Sequence, residues 1–320
     1  MKYFFTKYRF FLSGAALILT AASCTSTLSD EPATDARAIS FTPAAETRAA
    51  VETDFPDRSS FSVWGWYGKD SQITNNVFDG ETVTKSGGAW TYTGGTQYWI
   101  PRMTYNFYGV YPFYPQTSSD NGTTATVDNT GKITVTNFDC SATGENAVDL
   151  MTATAQGDGS NPKPVAMEFK HELARVNIIV TSEGDAVKIS NAKIYGINHM
   201  GTLSNDQWKV GEVSTETNPS FSSSLEISLG DTKPYGLFGG DLLLIPASTE
   251  KLINATLSFD YQYVNGTFKS EKIKLKRDRI QEWVAGSQYK YTVAIPKNAI
   301  DVTVNVEILK WNEKNYTVTW

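Results

Sequence analysis

The sequence predicts an all-β protein with two tandem antiparallel β-sandwich domains. Apolar residues recur at every second position through most of the chain, which is the pattern of half-buried strands. The 16 Tyr, 16 Phe and 8 Trp favour extended structure, and 24 glycines suit the turns between strands. No segment combines helical periodicity with capping residues. A length of 320 residues allows two domains of ordinary size.

Alternating segments follow one another along the chain. We expect strands at 38–42, 61–66, 105–111, 133–136, 176–180, 189–194, 225–229, 257–263, 273–275, 289–295 and 302–308. Clusters of Gly, Asn, Asp and Ser separate these segments, as in sandwiches with short connections. Asn265-Gly266 is the strongest hairpin signal, because Asn-Gly accepts the positive φ that a two-residue turn requires.

A linker divides the chain near its middle. Residues 157–164 (GDGSNPKP) combine glycines, which free the backbone, with prolines, which cannot donate to a β-ladder. We therefore expect a domain boundary near residue 165. It separates an N-terminal sandwich at 49–165 from a C-terminal sandwich at 166–320.

Residues 1–23 have the features of an export signal. Three basic residues precede an apolar stretch that is long enough for a signal-peptide core and short for a membrane span. Small residues then lead to Cys24, as in a lipobox, where the cysteine is acylated and becomes the mature N-terminus. An ordinary secretory signal followed by a chance cysteine is the alternative. Polar residues 25–37 predict a flexible tether.

The charge balance argues against a generic nucleic-acid binder. Removal of residues 1–23 changes the formal net charge from −6 to −9, because they carry three basic and no acidic side chains. Phosphate binding requires clustered Lys and Arg. An acidic body on a lipid anchor fits the outside of a cell envelope. Lipidation of Cys24 would leave Cys140 as a lone thiol, which we expect to be buried as a small apolar residue.

Motifs for catalysis and metal binding do not occur in this sequence. It contains no nucleophile elbow, H-E-x-x-H, C-x-x-C or glycine-rich phosphate loop. His171 and His199 lack companion ligands at metal-binding spacing, so we interpret both as structural. Residues 128–131 (DNTG) lack the acidic pattern of a calcium loop and predict a turn. We expect no enzymatic activity, no metal and no cofactor.

An aromatic cluster at 98–114 has two interpretations. Exposed, Trp99 and Tyr105 could face a ligand, because flat apolar rings with polar edges stack on sugars. Buried, they would form a sandwich core in which each aromatic side chain hides about 150–250 Å². The strand alternation favours burial of at least one face.

A short strand and an arginine follow the tether. Residues 38–44 contain an alternating segment, and Arg48 lies among small and polar residues, where a trypsin-like protease could cut between Arg48 and Ala49. Loss of this strand would expose unpaired backbone groups and an empty apolar row, which a strand from another subunit could fill. The alternatives are a permanent edge strand, with Arg48 a solvated loop charge, and cleavage at Arg37.

Several segments in a fixed order resemble a known family. They are 39–41 with 47–48, 98–101 with 107–112, 149–153, 169–176, 283–286 with 289–291, and 302–311. In this order and spacing they resemble the fimbrillin family of Bacteroidota, the Mfa-like lipoproteins that build surface fimbriae. The resemblance spans nearly the whole chain after Cys24.

The resemblance implies a fold, a location and a mechanism of assembly. It implies two transthyretin-like β-sandwich domains and export to the outer membrane as a lipoprotein. It also implies that residues 24–48 form a propeptide, removed after Arg48, and that other fimbrial subunits join by donor-strand exchange. A host or bacterial surface glycan or protein is a further possible partner. The alternative is a glycan-binding surface lipoprotein that does not polymerise and uses the region of Trp99 and Tyr105.

Overall fold

The computed structural model describes residues 34–45, 55–70, 72–118, 122–183, 187–229, 234–297 and 302–311. Their regular structure is almost all β. The strands of the first half are β1 (Phe41–Ala45), β2 (Ser60–Lys69), β3 (Gln72–Ser86), β4 (Ala89–Tyr92), β5 (Thr104–Tyr111), β6 (Thr124–Val127), β7 (Ile133–Asp139), β8 (Met151–Asp158) and β9 (Val165–His171). Those of the second half are β10 (Ala174–Ser182), β11 (Val187–Tyr195), β12 (Met200–Ser204), β13 (Gln207–Val210), β14 (Phe221–Ser222), β15 (Ile227–Leu229), β16 (Tyr235–Gly236), β17 (Leu242–Leu244), β18 (Thr256–Tyr263), β19 (Phe268–Lys274), β20 (Ser287–Ile295) and β21 (Thr303–Lys310).

Helical structure within these residues is short. It comprises two 3-10 turns, Thr34–Arg37 and Gly144–Asn146, and the α-helix α1 (Thr249–Leu252). No helix in the described part of the chain is long and apolar enough to span a bilayer. The prediction of an all-β, sandwich-type fold is confirmed.

A seven-stranded sheet organises the first half of the chain. Its strand order is β1-β9-β8-β5-β2-β3-β4, and all pairs are antiparallel except β1 with β9. The interior strand β2 is buried on both faces: Phe61 and Val63 pack in one core cluster, and Trp64 and Trp66 pack in the other. A four-stranded sheet, β13-β12-β7-β6, contributes Val135 to the cluster that holds the two tryptophans.

Two further sheets form the sandwich of the second half. One has the order β16-β10-β20-β21, with β17 also paired to β10, and the other has β14-β11-β18-β19, with β15 also paired to β11. Alternate side chains of β10 and β18, among them Val176, Ile178, Leu257 and Phe259, are buried in one core cluster. This arrangement follows from the period-two pattern, which places every second side chain on the inner face.

Sheet membership does not change at residue 165. Strand β9 begins at Val165 and belongs to the seven-stranded sheet, and the chain enters the next sheet at Ala174. The hairpin β12–β13 then returns to pair with β7 of the first half. The division into two domains, with its boundary near residue 165, stays a prediction; the pairing of β12 with β7 links the two halves of the chain.

The predicted hairpin at 265–266 is present with a different turn. Strands β18 and β19 pair from Gln262 opposite Phe268, and Tyr263 N–H donates to Thr267 O (2.9 Å). Gly266 has φ +86°, and its N–H donates to Tyr263 O (2.9 Å). The loop therefore has three residues, a turn followed by a left-handed glycine, and not the two-residue turn that Asn-Gly suggested.

Candidate functional site: the N-terminal strand and its groove

Strand β1 lies at the edge of the seven-stranded sheet, paired with β9 alone. The pairing is parallel and runs from Phe41 opposite Val165 to Ala45 opposite Phe169. Val165 N–H donates to Ser40 O (2.8 Å). The strand expected at 38–44 is thus observed as Phe41–Ala45, within a ladder.

The residues before β1 reach the opposite edge of the same sheet. Ile39 N–H donates to Gln97 O and Trp99 N–H donates to Arg37 O, both at 2.8 Å. The Tyr92 hydroxyl, on the far edge strand β4, donates to Ile39 O (2.9 Å). Burial raises the pKa of Tyr92, which keeps this donor protonated. Residues 37–45 therefore close the seam between the two edges of a curled sheet.

Two side chains of this segment fill the core beneath it. Ile39 is 2% exposed and Phe41 is 4% exposed. The ring of Phe41 makes edge contacts at centroid distances of 5.4–6.1 Å with Phe61, Phe78, Tyr92 and Phe107. Full burial of one such side chain stabilises a fold by about 1.5–3 kcal/mol. Removal of residues 37–45 would leave an apolar groove flanked by unpaired backbone groups, here called the β1 groove.

Trp99 and Tyr105 line this core and not the surface. Trp99 is 3% exposed and Tyr105 is fully buried, with their ring centroids 4.7 Å apart. A Cβ at Gly157 would lie 2.3 Å from Trp99 Cη2, so the indole packs directly on the glycine backbone. The Tyr105 hydroxyl accepts a hydrogen bond from Ile100 N–H (2.8 Å). Both rings therefore face the core, and this structure gives no support to the ligand-facing interpretation of Trp99 and Tyr105.

The far end of β9 adjoins the end of the last strand, β21. The ring of Trp311 stacks on His171, with centroids 4.2 Å apart and planes 18° apart. The Arg175 guanidinium lies 6.0 Å from the Trp311 ring and pairs with Asp241. His171 Nδ1 lies 2.9 Å from Asp149 Oδ2, and this contact and the ring stack support the structural role that the sequence predicted. Ala45 of β1 lies opposite Phe169, two residues before His171, so the ends of β1 and β21 are both close to the same end of β9.

Glu172 joins three elements at this point. It is 4% exposed and accepts a hydrogen bond from the Thr152 hydroxyl (2.5 Å). Lys170 Nζ lies 3.7 Å from the Glu172 carboxylate and 2.9 Å from Asp206 of the β12–β13 hairpin. The Trp208 indole donates to Glu172 O (3.1 Å). Burial raises the pKa of Glu172 above its usual 4.5, since these contacts only partly offset the loss of water.

Substitution Glu172→Gln is expected to remove a pH-dependent loss of stability. Because the pKa is raised in the folded state, the folded protein holds this proton more tightly, and the free energy of unfolding falls as pH rises from about 4.5 through the folded pKa. The variant should therefore gain stability relative to wild type as the pH rises above about 4.5. Urea unfolding at several pH values measures this difference. Glu168→Gln, on the exposed face of β9, should show no such trend, and a pH-independent difference for Glu172→Gln would contradict the prediction.

The structure also describes the other residues for which the sequence predicted a structural role. Cys140 is 3% exposed and burial raises the pKa of its thiol to about 12, so it is the buried apolar residue expected. Asp128 Oδ1 accepts hydrogen bonds from the N–H groups of Thr130 and Lys132, which forms a turn. His199 Nδ1 lies 3.0 Å from Asp139. Within the described ranges no three His, Cys, Asp or Glu side chains are grouped as metal ligands would be.

The predicted processing sites lie outside the described residues. These are Cys24, Arg48 and Ala49. The alternative site Arg37 is described: its guanidinium donates to Trp99 O (2.9 Å), and its own carbonyl accepts from Trp99 N–H. Sequence reasoning did not find the partners of residues 37–45, because Gln97, Trp99 and Val165 are distant along the chain and carry no local signal of pairing.

Comparison with known proteins assigns the chain to a class of surface proteins. Residues 47–311 match the family model described as fimbrillin-like, and the chain therefore belongs to the fimbrillin-like family. This is a family of fimbrial structural and adhesion proteins and not of enzymes. A search of curated proteins finds no significant match.

Solved structures share the fold. A fimbrial protein from Bacteroides vulgatus ATCC 8482 is 18% identical with a TM-score of 0.59, over 86% of this chain and 99% of that one. A candidate cell adhesion protein from Bacteroides uniformis ATCC 8492 is 21% identical with a TM-score of 0.50, over 86% and 99%. Another from Bacteroides ovatus ATCC 8483 is 13% identical with a TM-score of 0.57, over 87% and 99%. At these identities the likeness concerns the fold.

Proposed function

We propose that this chain is a structural subunit of cell-surface fimbriae that assembles by strand exchange after proteolysis at Arg48. Membership of the fimbrillin-like family supports the fimbrial role and a place at the cell surface. One structural observation carries the mechanism: residues 37–45 close the seam of the seven-stranded sheet and pair there as an edge strand. An edge strand can leave its sheet without breaking a central ladder.

The vacated site has the properties of a strand acceptor. It would offer the free edge of β9 and the apolar positions now filled by Ile39 and Phe41. Main-chain hydrogen bonds would hold an incoming strand, and alternate side chains would fill the groove. The donor is a strand of another fimbrial subunit. The region of Trp99 and Tyr105 offers no support for the glycan-binding alternative, since both rings are buried.

Export and anchoring complete the proposal. Residues 1–23 direct the chain to the envelope, and acylation of Cys24 places the precursor in the outer membrane before cleavage. The precursor is then tethered by residues 25–48, and cleavage after Arg48 releases a subunit that begins at Ala49.

Metabolic labelling with a palmitate analogue should mark the wild-type precursor and not a Cys24→Ala variant.

Limited trypsin digestion tests the assembly step. The protein expressed without residues 1–24 should be cut to a species that begins at Ala49 and should form oligomers in size-exclusion chromatography. Arg48→Ala should remain uncut at this position and monomeric. Arg37→Ala is the matched control and should be processed as wild type, because the Arg37 peptide is held in a 3-10 turn and hydrogen-bonded to Trp99.

Two results would contradict the proposal. One is assembly of Arg48→Ala to the wild-type extent. The other is a wild-type protein that is fully cleaved after Arg48, has lost residues 34–45 and yet stays monomeric at high concentration.

A further inference from the structure

The four-stranded sheet carries an open polar cavity at one of its ends. Its volume is about 610 Å³, within the usual range of small-molecule sites. The lining residues are Thr130, Lys132, Ser204, Asn205, Gln207 and Lys209. The sheet topology explains why they meet: β7 and β12 are antiparallel neighbours, so the turn before β7 and the turn after β12 lie at the same end.

Both walls of the cavity are held by hydrogen bonds. Asp128 Oδ1 accepts from the N–H groups of Thr130 and Lys132 and so fixes the first turn. Asn205 N–H donates to Ile133 O (3.0 Å) and ties the second turn to β7. Asp206 pairs with Lys170 of β9 at 2.9 Å. The backbone of both turns is therefore fixed by the fold, whereas five of the six lining residues, all except Ser204, are exposed.

The chemistry of the lining is polar and locally basic in an acidic protein. Neither Lys132 nor Lys209 lies within 4 Å of a carboxylate oxygen among the described residues, although the Asp128 carboxylate is near Lys132. The side chains of Asn205 and Gln207 are exposed. Two lysines, two amide residues and two hydroxyl residues thus line one space. The Thr130 hydroxyl also donates to Asp128 Oδ1 (2.6 Å), and the Ser204 hydroxyl lies 3.5 Å from that of Thr134.

We propose that this cavity binds an acidic saccharide, with Lys132 and Lys209 on its carboxylate or sulfate and the amides on its hydroxyl groups. Charge-assisted hydrogen bonds are the strong ones in such a site. None of the described lining residues is aromatic, so neither a base nor a sugar ring would stack there, and recognition would depend on charge and hydrogen bonds. An apolar ligand is disfavoured because every lining side chain is polar.

The proposal gives the fimbrial subunit a binding partner, yet its test does not depend on assembly. The uncleaved protein is titrated with a hyaluronan tetrasaccharide, which carries carboxylates, and with chitotetraose, a neutral oligosaccharide of similar length. A chondroitin sulfate tetrasaccharide distinguishes sulfate from carboxylate, and sodium sulfate alone serves as a bare anion. Arg48→Ala protein should bind as wild type, so failure of strand exchange and failure of this site can be told apart.

We expect the acidic tetrasaccharides to bind at least about tenfold more tightly than chitotetraose, with an affinity that falls as salt rises. The double variant Lys132→Gln/Lys209→Gln should bind them at least about tenfold more weakly. Lys274→Gln is the matched control, an exposed strand lysine in another sheet, and should bind as wild type. Thermal unfolding of each variant verifies that it is folded.

Three results would overturn the proposal. They are equal binding by the double variant and wild type, equal affinity for chitotetraose and the acidic tetrasaccharides, and no binding of either acidic tetrasaccharide. Sodium sulfate that competes as strongly as the tetrasaccharides would reduce the cavity to a simple anion site and also overturn it.

Discussion

Substitution Phe41→Ala is expected to lower the free energy of unfolding by about 3–5 kcal/mol. The ring is 4% exposed and contacts four other aromatic rings, so its removal leaves a cavity that the surrounding strands cannot fill. Urea unfolding of the uncleaved protein measures the loss. Ser40→Ala, an exposed neighbour whose backbone carbonyl still accepts from Val165, is the control and should cost less than about 0.5 kcal/mol.

The same substitution separates a structural edge strand from an exchangeable one. If residues 37–45 must leave before a donor strand enters, weaker anchoring of Phe41 should speed oligomer formation after cleavage at Arg48. Unchanged assembly kinetics in a variant that is destabilised as expected would count against exchange at the β1 groove. A loss of stability below about 1 kcal/mol would show that the ring is not packed as described.

Substitution Trp311→Ala is expected to cost a similar amount, about 3–5 kcal/mol. Trp311 is 9% exposed, stacks on His171 and lies against the Arg175 guanidinium, so its loss removes both burial and ring contacts. Urea unfolding measures the change. Ile308→Ala, in the same strand but 53% exposed, is the control and should cost less than about 1 kcal/mol.

Proteolysis is a second measurement, and it tests whether Trp311 holds the end of β21 in place. Trypsin should cut the peptide bond after Lys310 faster in Trp311→Ala than in wild type, because β21 is an edge strand whose end depends on this contact. Cleavage there at the wild-type rate, together with unchanged stability, would mean that the stack on His171 does not fix the end of the strand.

Local sequence was sufficient to predict where strands form and which of their faces is apolar. The alternation at 61–66 and 105–111 predicted β2 and β5, and Asn265-Gly266 predicted the hairpin of β18 and β19. Burial of Cys140 was also predicted. Turn geometry was harder to predict from the sequence, because the extra residue of the 264–266 loop depends on the twist and register of the paired strands.

Which strands pair with each other could not be predicted from local sequence. The parallel pairing of β1 with β9 joins Phe41 to Val165 across more than a hundred residues, and parallel pairs have no connecting turn to identify them. The aromatic segment around Trp99 and Tyr105 had two interpretations, because a ring that faces a core and one that faces a ligand have the same local pattern. No local sequence pattern indicated that Glu172 is buried, because its burial results from contacts with Thr152 and Trp208.

The sequence by itself determined an all-β chain, its family resemblance and the alternation of inward and outward side chains, because period-two hydrophobicity is a local property of extended backbone. Only the tertiary structure decided that residues 37–45 close a curled sheet, that β12–β13 join the first half, and that two turns flank an open polar cavity. The physical reason is that strand order and direction depend on long-range loop closure and on which sheet edges remain unpaired. Neither can be predicted from a short segment of the sequence.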